Sequence, residues 1–311
     1  AIVLAGSELR LYRKGGSVAR QYLQINFPAL FDADRADEWT AFWGLLRYQA
    51  FVPGDDGKCL LDRVLEESQR HASRIADDLR ENVVIAVEAI IQGILDDPAN
   101  KSLISNLKSQ NDGLKQLFEE TLYFLYRLLF ILYAESRDLL PVGESLVYRD
   151  TYSLEHLRDL AERPLHRDEG DRTYFADTIR ALLRMLQDGF PPPGSALNPG
   201  FSIDPFNGQL FDPRRTSLLD RCRISDRALH AAIAELSLSR PRRRSDRRER
   251  FSYADLGVDQ LGSIYEGLLV YEPAIVAEET VLAKVKNEAR WVTRIQADEN
   301  ELAVIPGDDG L

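Results

Sequence analysis

The sequence predicts a mainly α-helical protein, with a bundle-like helical body between a small antiparallel β fragment at the N-terminus and a β-hairpin at the C-terminus. Apolar residues alternate with polar ones over residues 1–27, recur at helical spacing from Asp34 onward, and alternate again over 274–305. The 311 residues are 44% hydrophobic and 29% charged, as is typical of a folded chain. We expect four regions: a β region (1–33), a helical body (34–238), an arginine-rich linker (239–252), and a connector helix with a hairpin (253–311).

The first region reads "AIVLAGSELRLYRKGGSVARQYLQINF" over residues 1–27. Two turn signals, at 5–7 and 14–17, divide the alternating pattern. We therefore predict three short antiparallel strands.

The helical body contains several segments with apolar residues on one face, each ended by Pro, Gly or a polar cluster. The stretch "GFPPPGSALNPG" at 189–200 is predicted to be a loop, because its prolines lack backbone donors. The predicted helices cover 37–51, 60–97, 111–139, 153–163, 171–188, 225–236 and 261–273. The predicted terminal strands lie in 274–285 and 289–295.

Charge and residue usage exclude several classes of protein. The formal net charge of −11 argues against a uniformly basic nucleic-acid wrapper, although a local basic patch remains compatible with it. The two cysteines, Cys59 and Cys222, have no second ligand at metal spacing, so we expect neither a disulfide framework nor a zinc site. The apolar runs 83–95 and 122–134 are shorter than the roughly 20 residues that a bilayer span needs. We expect a soluble, cytoplasmic protein without a membrane partner.

The chain begins with Ala1 inside a predicted strand, and its single methionine is Met185. We expect it to be a piece of a longer polypeptide. Motifs absent here are then expected elsewhere in that polypeptide.

No stretch predicts a catalytic site. "NPGF" at 198–201 differs by one residue from the Asn-Pro-Pro-Tyr/Phe loop that holds a flipped adenine in amino-methyltransferases, but no apolar strand precedes Asn198. The predicted strands of 1–27 contain Glu8 without the Glu-x-Lys that a metal-dependent nuclease needs. We therefore expect no catalytic, cofactor-binding or metal-binding residue in this chain.

The segment "SRPRRRSDRRER" at 239–250 carries seven arginines in twelve residues. Guanidinium groups are planar, bidentate and always charged, which suits them to phosphate groups. The alternative is a solvated linker, since the segment lacks apolar residues and interleaved aromatics. The candidate DNA-phosphate contacts are Arg240, Arg242, Arg243, Arg244, Arg247, Arg248 and Arg250.

Arg127 lies in the apolar helix "LYFLYRLLFILYA" at 122–134, without an acid three or four residues away on its own helix. Because an unpaired buried charge is costly, we predict that Arg127 forms a structural ion pair with another segment. The charged cluster of Glu135, Arg137 and Asp138 that follows is predicted to serve helix termini.

Three stretches in this order resemble one family: "FLYRLLFILYAESRDLLP" (124–141), "FNGQLF" (206–211) and "YADLGVDQLGSIYEGLLVYEP" (253–273). They are similar to the helical region before the methyltransferase domain in large single-chain restriction-modification enzymes of the type IIG and IIL class. Adenine-specific DNA methyltransferases of phage-defence systems of the BREX and DISARM kinds are similar as well. Residues 1–30 resemble the last strands of the nuclease-like domain of this family.

The resemblance implies a parent enzyme that transfers a methyl group from S-adenosylmethionine to adenine N6 in DNA, with magnesium if it also cleaves DNA. It implies no catalytic residue here, because the nuclease acids of the family precede this region and its cofactor and Asn-Pro-Pro-Tyr loops follow it. The chain would act as a helical connector that positions the catalytic domains on DNA. The alternative is a protein-interaction subunit that docks a separate methyltransferase or nuclease.

The stretch "LGSIYEGLLVYEP" at 261–273 contains two glycines within a helical pattern. Each costs roughly 0.5–1 kcal/mol relative to alanine, so a compensating role is expected. We predict that this helix packs against the methyltransferase domain that follows it. The predicted packing residues are Gly262, Tyr265, Glu266 and Gly267.

Overall fold

The computed structural model confirms a mainly helical protein with a small antiparallel N-terminal sheet. It describes residues 2–12, 22–31, 36–108, 113–166, 168–192, 194–195, 200–206, 208–240, 248–268, 280–285 and 288–293. The chain forms two compact units, residues 1–73 and 74–311, which are described separately. In the described residues, no helix is both long and apolar enough to cross a membrane.

The first unit contains the predicted three-stranded sheet. Strands β1 (Ile2–Ala5), β2 (Glu8–Tyr12) and β3 (Tyr22–Asn26) pair antiparallel in the order β1-β2-β3. The pairs Leu4–Leu9 and Leu11–Leu23 set the register. The alternation of apolar residues therefore predicts both the strands and their pairing.

Two short helices follow the sheet. Helix α1 (Phe27–Phe31), which the sequence analysis did not predict, leads into α2 (Ala36–Leu46) and a 3-10 turn at Tyr48–Phe51. Phe31 and Trp39 meet edge to face at 5.3 Å. Aromatic packing of this kind contributes about 0.5–1.5 kcal/mol per pair beyond the burial of its area.

Helix α3 (Leu60–Asp96) follows the predicted long helical pattern and ends where Asp97 caps a 3-10 turn at Pro98–Asn100. Its second half and the rest of the chain form the second unit. The helices of this unit are α4 (Lys101–Lys108), α5 (Gly113–Ser136), α6 (Leu146–Thr151), α7 (Leu154–Ala161), α8 (Tyr174–Asp188), α9 (Asp226–Ser237) and α10 (Val258–Leu268). Of these, α4 and α6 were not predicted.

Helix α5 lies at the centre of the second unit. Its buried positions lie on all sides of the helix, as the continuous apolar run "LYFLYRLLFILYA" indicates. It packs against α4, α7 and a series of 3-10 turns between residues 209 and 255. One continuous core therefore surrounds α5 and includes Leu79, Ile90, Leu157, Leu182 and Leu229.

Strands β4 (Thr280–Val285) and β5 (Glu288–Thr293) pair antiparallel, with Val281 opposite Val292. Residues 286–287, which would close a hairpin between them, lie outside the described residues. The predicted hairpin and the predicted divisions at 33, 238 and 252 stay predictions.

Candidate nucleic-acid interface

The two ends of the arginine-rich segment are paired with each other. Leu238 and Arg250 form an antiparallel bridge, and the Ser239 N–H donates to the Glu249 carbonyl at 2.7 Å. Farther along, the Phe251 N–H donates to the Ser237 carbonyl at 2.8 Å. We call these paired ends, residues 237–240 and 248–251, the arginine stem. The residues that flank 241–247 in the sequence are therefore joined by backbone hydrogen bonds, while 241–247 themselves lie outside the described residues.

Asn82, a fully buried residue of α3, fixes the first side of the stem. Its amide nitrogen donates to the carbonyls of Glu235 and Leu238 at 2.9 and 2.8 Å, and its oxygen accepts from Arg240 Nε at 3.0 Å. These contacts use the side chain of one helix to satisfy carbonyl groups at the end of another. The start of the stem is therefore fixed by α3 and α9 together.

Arg248 fixes the second side of the stem. It forms a bidentate ion pair with Glu235 at 2.7 and 2.8 Å, and it also donates to the carbonyls of Leu238 and Ser239. Bidentate pairs are the stronger and more directional kind of ion pair. Arg248 is therefore a structural residue of the stem.

Arg250 is held against α7. Its guanidinium pairs with Asp159 at 2.6 Å, Glu155 at 2.8 Å and Glu162 at 3.0 Å. Burial alone would lower the pKa of Arg250, but the hydrogen bond that Arg250 donates to Asp159 and the charges of the three acids raise the pKa above its ordinary value. This arginine is surrounded by negative charge within its own chain.

These contacts change the prediction for three of the seven arginines. Arg240, which also pairs with Glu81, joins Arg248 and Arg250 in ion pairs within the chain. A phosphate would have to displace a carboxylate from each of them. The other four candidates, Arg242, Arg243, Arg244 and Arg247, lie outside the described residues, and their DNA contacts stay predictions.

Arg127 finds its partners in another segment, as predicted, but they are neutral. It is 3% exposed and donates to the carbonyls of Leu210 and Asp212 and to the Thr216 hydroxyl, at 2.7 to 2.8 Å. Burial lowers the pKa of Arg127, and the charges of Asp220, Asp212 and Glu120 act against that shift. Direct hydrogen bonds to carbonyl and hydroxyl oxygens thus take the place of the predicted ion pair, while the charges of Asp220, Asp212 and Glu120 act on Arg127 without direct contact.

Glu135 belongs to the charged cluster that was predicted to interact with helix termini. It binds the start of α7 and not the end of its own helix, α5. It accepts from the Leu154 and Glu155 N–H groups at the start of α7, each at 2.9 Å, and from the Tyr148 hydroxyl at 2.8 Å. Burial raises the pKa of the Glu135 carboxyl to about 7, although all three hydrogen bonds act to lower it. Its oxygens are therefore already engaged with groups of the protein.

Two further buried acids also accept hydrogen bonds from backbone N–H groups of other elements, and the sequence analysis predicted neither of them. Glu120 accepts from the Leu218 and Leu219 N–H groups at 2.7 and 2.9 Å. Asp226 accepts from the Tyr174 and Phe175 N–H groups at the start of α8. For Glu120 the sequence signal was an acid within an apolar helical run, "LFEETLYF", whereas Asp226 lies at the start of α9 and has no such signal.

A cleft of about 360 Å³ lies beside the arginine stem and is lined by Glu135, Arg158, Arg250 and Tyr253, among others. Arg158 donates to the Phe251 carbonyl at 2.7 Å and to Glu155 at 3.0 Å, and its guanidinium lies over the Tyr253 ring. The charged groups of this cleft thus bind one another and the stem. Among the described residues, no group of three or more His, Cys, Asp or Glu side chains is arranged to hold a metal ion.

Part of the "NPGF" stretch lies in the described chain. The Phe201 ring packs at 5.0 Å from Phe190 and 5.6 Å from Tyr148, so its face is occupied by protein. Asn198 lies outside the described residues. The packing of Phe201 agrees with the expectation that this stretch is an ordinary loop.

Helix α10 presents its four predicted packing residues in two ways. Tyr265 packs on α5, where its ring lies 4.6 Å from that of Tyr126 and its carbonyl accepts from the Tyr126 hydroxyl. Gly262, by contrast, borders open space within the described chain, since a Cβ there would meet no atom within 4 Å. Gly267 lies against the Arg80 side chain, and Glu266 is exposed. Tyr265 thus serves the helical body, while the packing of Gly262, Glu266 and Gly267 against a further domain stays a prediction.

Searches against protein families, curated proteins and solved structures find no match to this chain.

Proposed function

We propose that this chain is a helical scaffold of a DNA restriction-modification methyltransferase, which holds DNA by its phosphates and carries the catalytic domain beyond α10. The arginine stem supports the DNA contact, because its paired, anchored ends flank residues 241–247, which carry four arginines in the sequence. A loop with fixed ends loses less conformational freedom on binding than a free linker does. The parent enzyme would use S-adenosylmethionine to methylate adenine N6.

Helix α10 supports the second part of the proposal. Its inner side is anchored to α5 by Tyr265, while Gly262 leaves an open surface on which another backbone can approach closely. Strands β4 and β5 follow and would form the hairpin that leads to the methyltransferase domain. The coding region beyond residue 311 tests this directly: a Phe-x-Gly-x-Gly and an Asn-Pro-Pro-Tyr motif in it would support the connector, and a stop codon would contradict it.

A salt titration tests the DNA contact. The protein is titrated onto a fluorescent duplex of mixed sequence at several salt concentrations, and the slope of log K against log [salt] is measured. Replacing Arg242, Arg243, Arg244 and Arg247 by Gln should lower that slope by about 0.9 for each lost contact. The matched control replaces four locally paired surface arginines by Gln: Arg63, Arg70, Arg149 and Arg172. Equal slopes for the two variants would contradict a contact at this loop.

The second candidate function is a subunit that docks a separate methyltransferase or nuclease. Exposed apolar side chains in the second unit favour it: Leu139, Leu146, Val147 and Val258 are each at least half exposed. Larger exposed apolar patches mark protein-interaction surfaces. A stop codon soon after residue 311, combined with co-purification of a methyltransferase encoded by a separate gene, would favour this candidate over the connector.

A further inference from the structure

Residues 209–223 form a second arginine-bearing segment, which the sequence analysis did not single out. It consists of three short 3-10 turns, Gln209–Phe211, Pro213–Thr216 and Leu219–Arg221, and the two residues that follow. We call it the 3-10 segment. Together with residues 224–227, it contains five arginines within the sixteen residues 212–227 of a chain whose net charge is −11.

Buried and partly buried side chains of the surrounding elements hold its backbone. Arg127 donates to the carbonyls of Leu210 and Asp212, and Glu120 accepts from the N–H groups of Leu218 and Leu219. Arg180 of α8 donates to the Cys222 carbonyl, and Asn100 binds both the N–H and the carbonyl of Arg223. The segment is thus tied down along its whole length, so that its outer side chains project from a fixed base.

The acids of the segment are partly used in local contacts. Asp226 is buried and caps α8, and Asp212 forms a bidentate pair with Arg214 on the surface. Asp220 remains exposed and accepts from the Thr216 hydroxyl at 3.3 Å. Arg223 pairs with the buried Asp97. Arg227 pairs with Asp171 at 3.9 Å, so the two arginines of the five without such a pair are Arg215 and Arg221, with the exposed Asp220 beside Arg221.

Arg215 is both exposed and ordered by its surroundings. Its guanidinium lies 5.3 Å from the centre of the Tyr123 ring on α5. Such stacking fixes the plane of the guanidinium and leaves its in-plane N–H groups free for a phosphate. Within the described residues, no carboxylate lies within 4 Å of Arg215.

Two further exposed arginines adjoin the same segment. Arg221 ends the last 3-10 turn, and Arg184 lies one helical turn beyond Arg180, which contacts the next residue, Cys222. In the described part of the chain, neither has a carboxylate within 4 Å. Exposed arginines elsewhere, such as Arg63 and Arg149, have a nearby acid. Arg47 and Arg163 are also exposed without such an acid in the described residues, so the distinction of Arg215 and Arg221 is that they extend from one segment whose backbone is held by side chains of other elements.

We propose that Arg184, Arg215 and Arg221 form a second contact surface for the phosphate backbone of duplex DNA, separate from the arginine stem. The identity of the partner rests on the proposed function of DNA scaffolding. The surface reads no sequence, since phosphate contacts position a duplex without distinguishing its bases. Together with the four arginines that lie in the sequence between the paired ends of the arginine stem, it would let a protein with an acidic overall charge hold DNA at two places.

The test uses the full chain, a fluorescent duplex of mixed sequence and a range of salt concentrations. In one variant Arg184, Arg215 and Arg221 are all replaced by Gln, and in a matched control Arg63, Arg70 and Arg149 are. Both variants lose three positive charges from exposed positions, so the overall change in charge is the same. We expect the salt slope to fall by about 0.9 per contact, by about 2.7 in the first variant, and to stay near the unmodified value in the control. The melting temperature should change little in either variant.

The possible outcomes separate the two proposals. Equal slopes in the two triple variants, with normal binding by the unmodified chain, overturn this second surface and leave the scaffold proposal intact. Failure of the unmodified chain to bind the duplex overturns both. A loss of slope in the Arg184/Arg215/Arg221 variant alone supports the surface, and adding the Gln substitutions of the loop should then lower the slope further, because separate contacts contribute additively.

Discussion

At the residue scale, buried polar side chains in this protein bind backbone groups of other elements more than they bind one another. Arg127, Glu120, Glu135 and Asp226 are each less than a tenth exposed, and each makes at least two hydrogen bonds to the main chain of a different segment. Unsatisfied backbone groups in an interior are costly, so these side chains are required where loops and helix ends enter the core. Removing one of them should act on stability first.

Replacing Arg127 with Leu should destabilise the protein by about 3 kcal/mol or more, because it leaves two buried carbonyl groups without donors. Urea unfolding measures this change in the free energy of unfolding. The control is Arg149→Leu, since Arg149 is exposed and, among the residues that the structure describes, its ion pair is with its neighbour Asp150. An unchanged melting temperature together with lost DNA binding would show that Arg127 has a binding role instead.

Glu135 should make stability depend on pH. Its pKa is raised by burial from 4.5 to about 7, so between these values the folded state keeps a proton that the unfolded state has released. The free energy of unfolding should therefore fall as the pH rises through this window, by up to about 3 kcal/mol. The stabilisation is fully present below about pH 4.5 and fully lost above about pH 7. Besides the two backbone N–H donors, the titratable groups that act on this carboxylate are the Tyr148 hydroxyl and the charged Glu155 side chain.

The measurement is urea unfolding at a series of pH values between 4.5 and 7, for the unmodified protein and for Glu135→Gln. The variant cannot titrate at this position, so the unmodified protein should lose stability relative to it as the pH rises. Glu144→Gln, at an exposed position, serves as the control. Parallel pH profiles for the unmodified protein and the Glu135 variant would be inconsistent with a raised pKa.

At the element scale, the length of a helix explains why some predicted helices match the structure and others were not predicted. Helices α3, α5, α8 and α9 agree with the predicted ranges to within a few residues, because each has a long apolar stripe. Helices α4 and α6 are only eight and six residues long and depend on their neighbours for burial. A short helix lacks the repeats that make a stripe recognisable, so tertiary packing rather than local pattern determines it.

Helix α10 gives a test in which stability and association should separate. Gly262 meets open space, so Gly262→Leu should leave the stability of this chain unchanged or raise it by roughly 0.5–1 kcal/mol through helix propensity. Binding of the following domain should weaken by about tenfold or more, because the added side chain keeps the two backbones apart. Thermal melting and the activity of the parent enzyme measure the two effects.

A matched control is Gly267→Leu, where the added side chain would first meet the Arg80 side chain of the same chain. Because a side chain here contacts Arg80 of the same chain instead of open space, this change should weaken binding of the following domain less than Gly262→Leu does. If Gly262→Leu lowers stability as much as Gly267→Leu does, then Gly262 serves the helical body and not a junction.

At the scale of the whole molecule, the sequence predicts the fold class, because the alternating and helical patterns are each long enough to recognise. It does not predict which arginines form ion pairs within the chain and which do not. "SRPRRRSDRRER" concentrates them in the sequence, yet Arg240, Arg248 and Arg250 are paired through folding with acids from α3, α9 and α7. Arg184 and Arg215 are 31 residues apart in the sequence. Pairing of this kind depends on tertiary contacts, which a pattern of residues along the chain does not contain.

The side chains that hold the 3-10 segment affect which of its positions can be substituted during evolution. Its path is set mainly by side chains of other elements that bind its main chain, together with the buried Thr216 and with Arg223, so its other outward-facing residues carry little of the fold. Positions 214, 215, 217 and 221 can therefore be exchanged without redirecting the backbone, much as antibody loops vary on a constant framework. In a substitution scan, the melting temperature should change little for variants at these four sites and fall sharply for variants at Glu120 and Arg127. Equal losses of melting temperature at both groups of sites would refute the idea that the outer residues carry little of the fold. Such a surface could acquire or lose affinity for a charged partner through single substitutions, at little cost to folding.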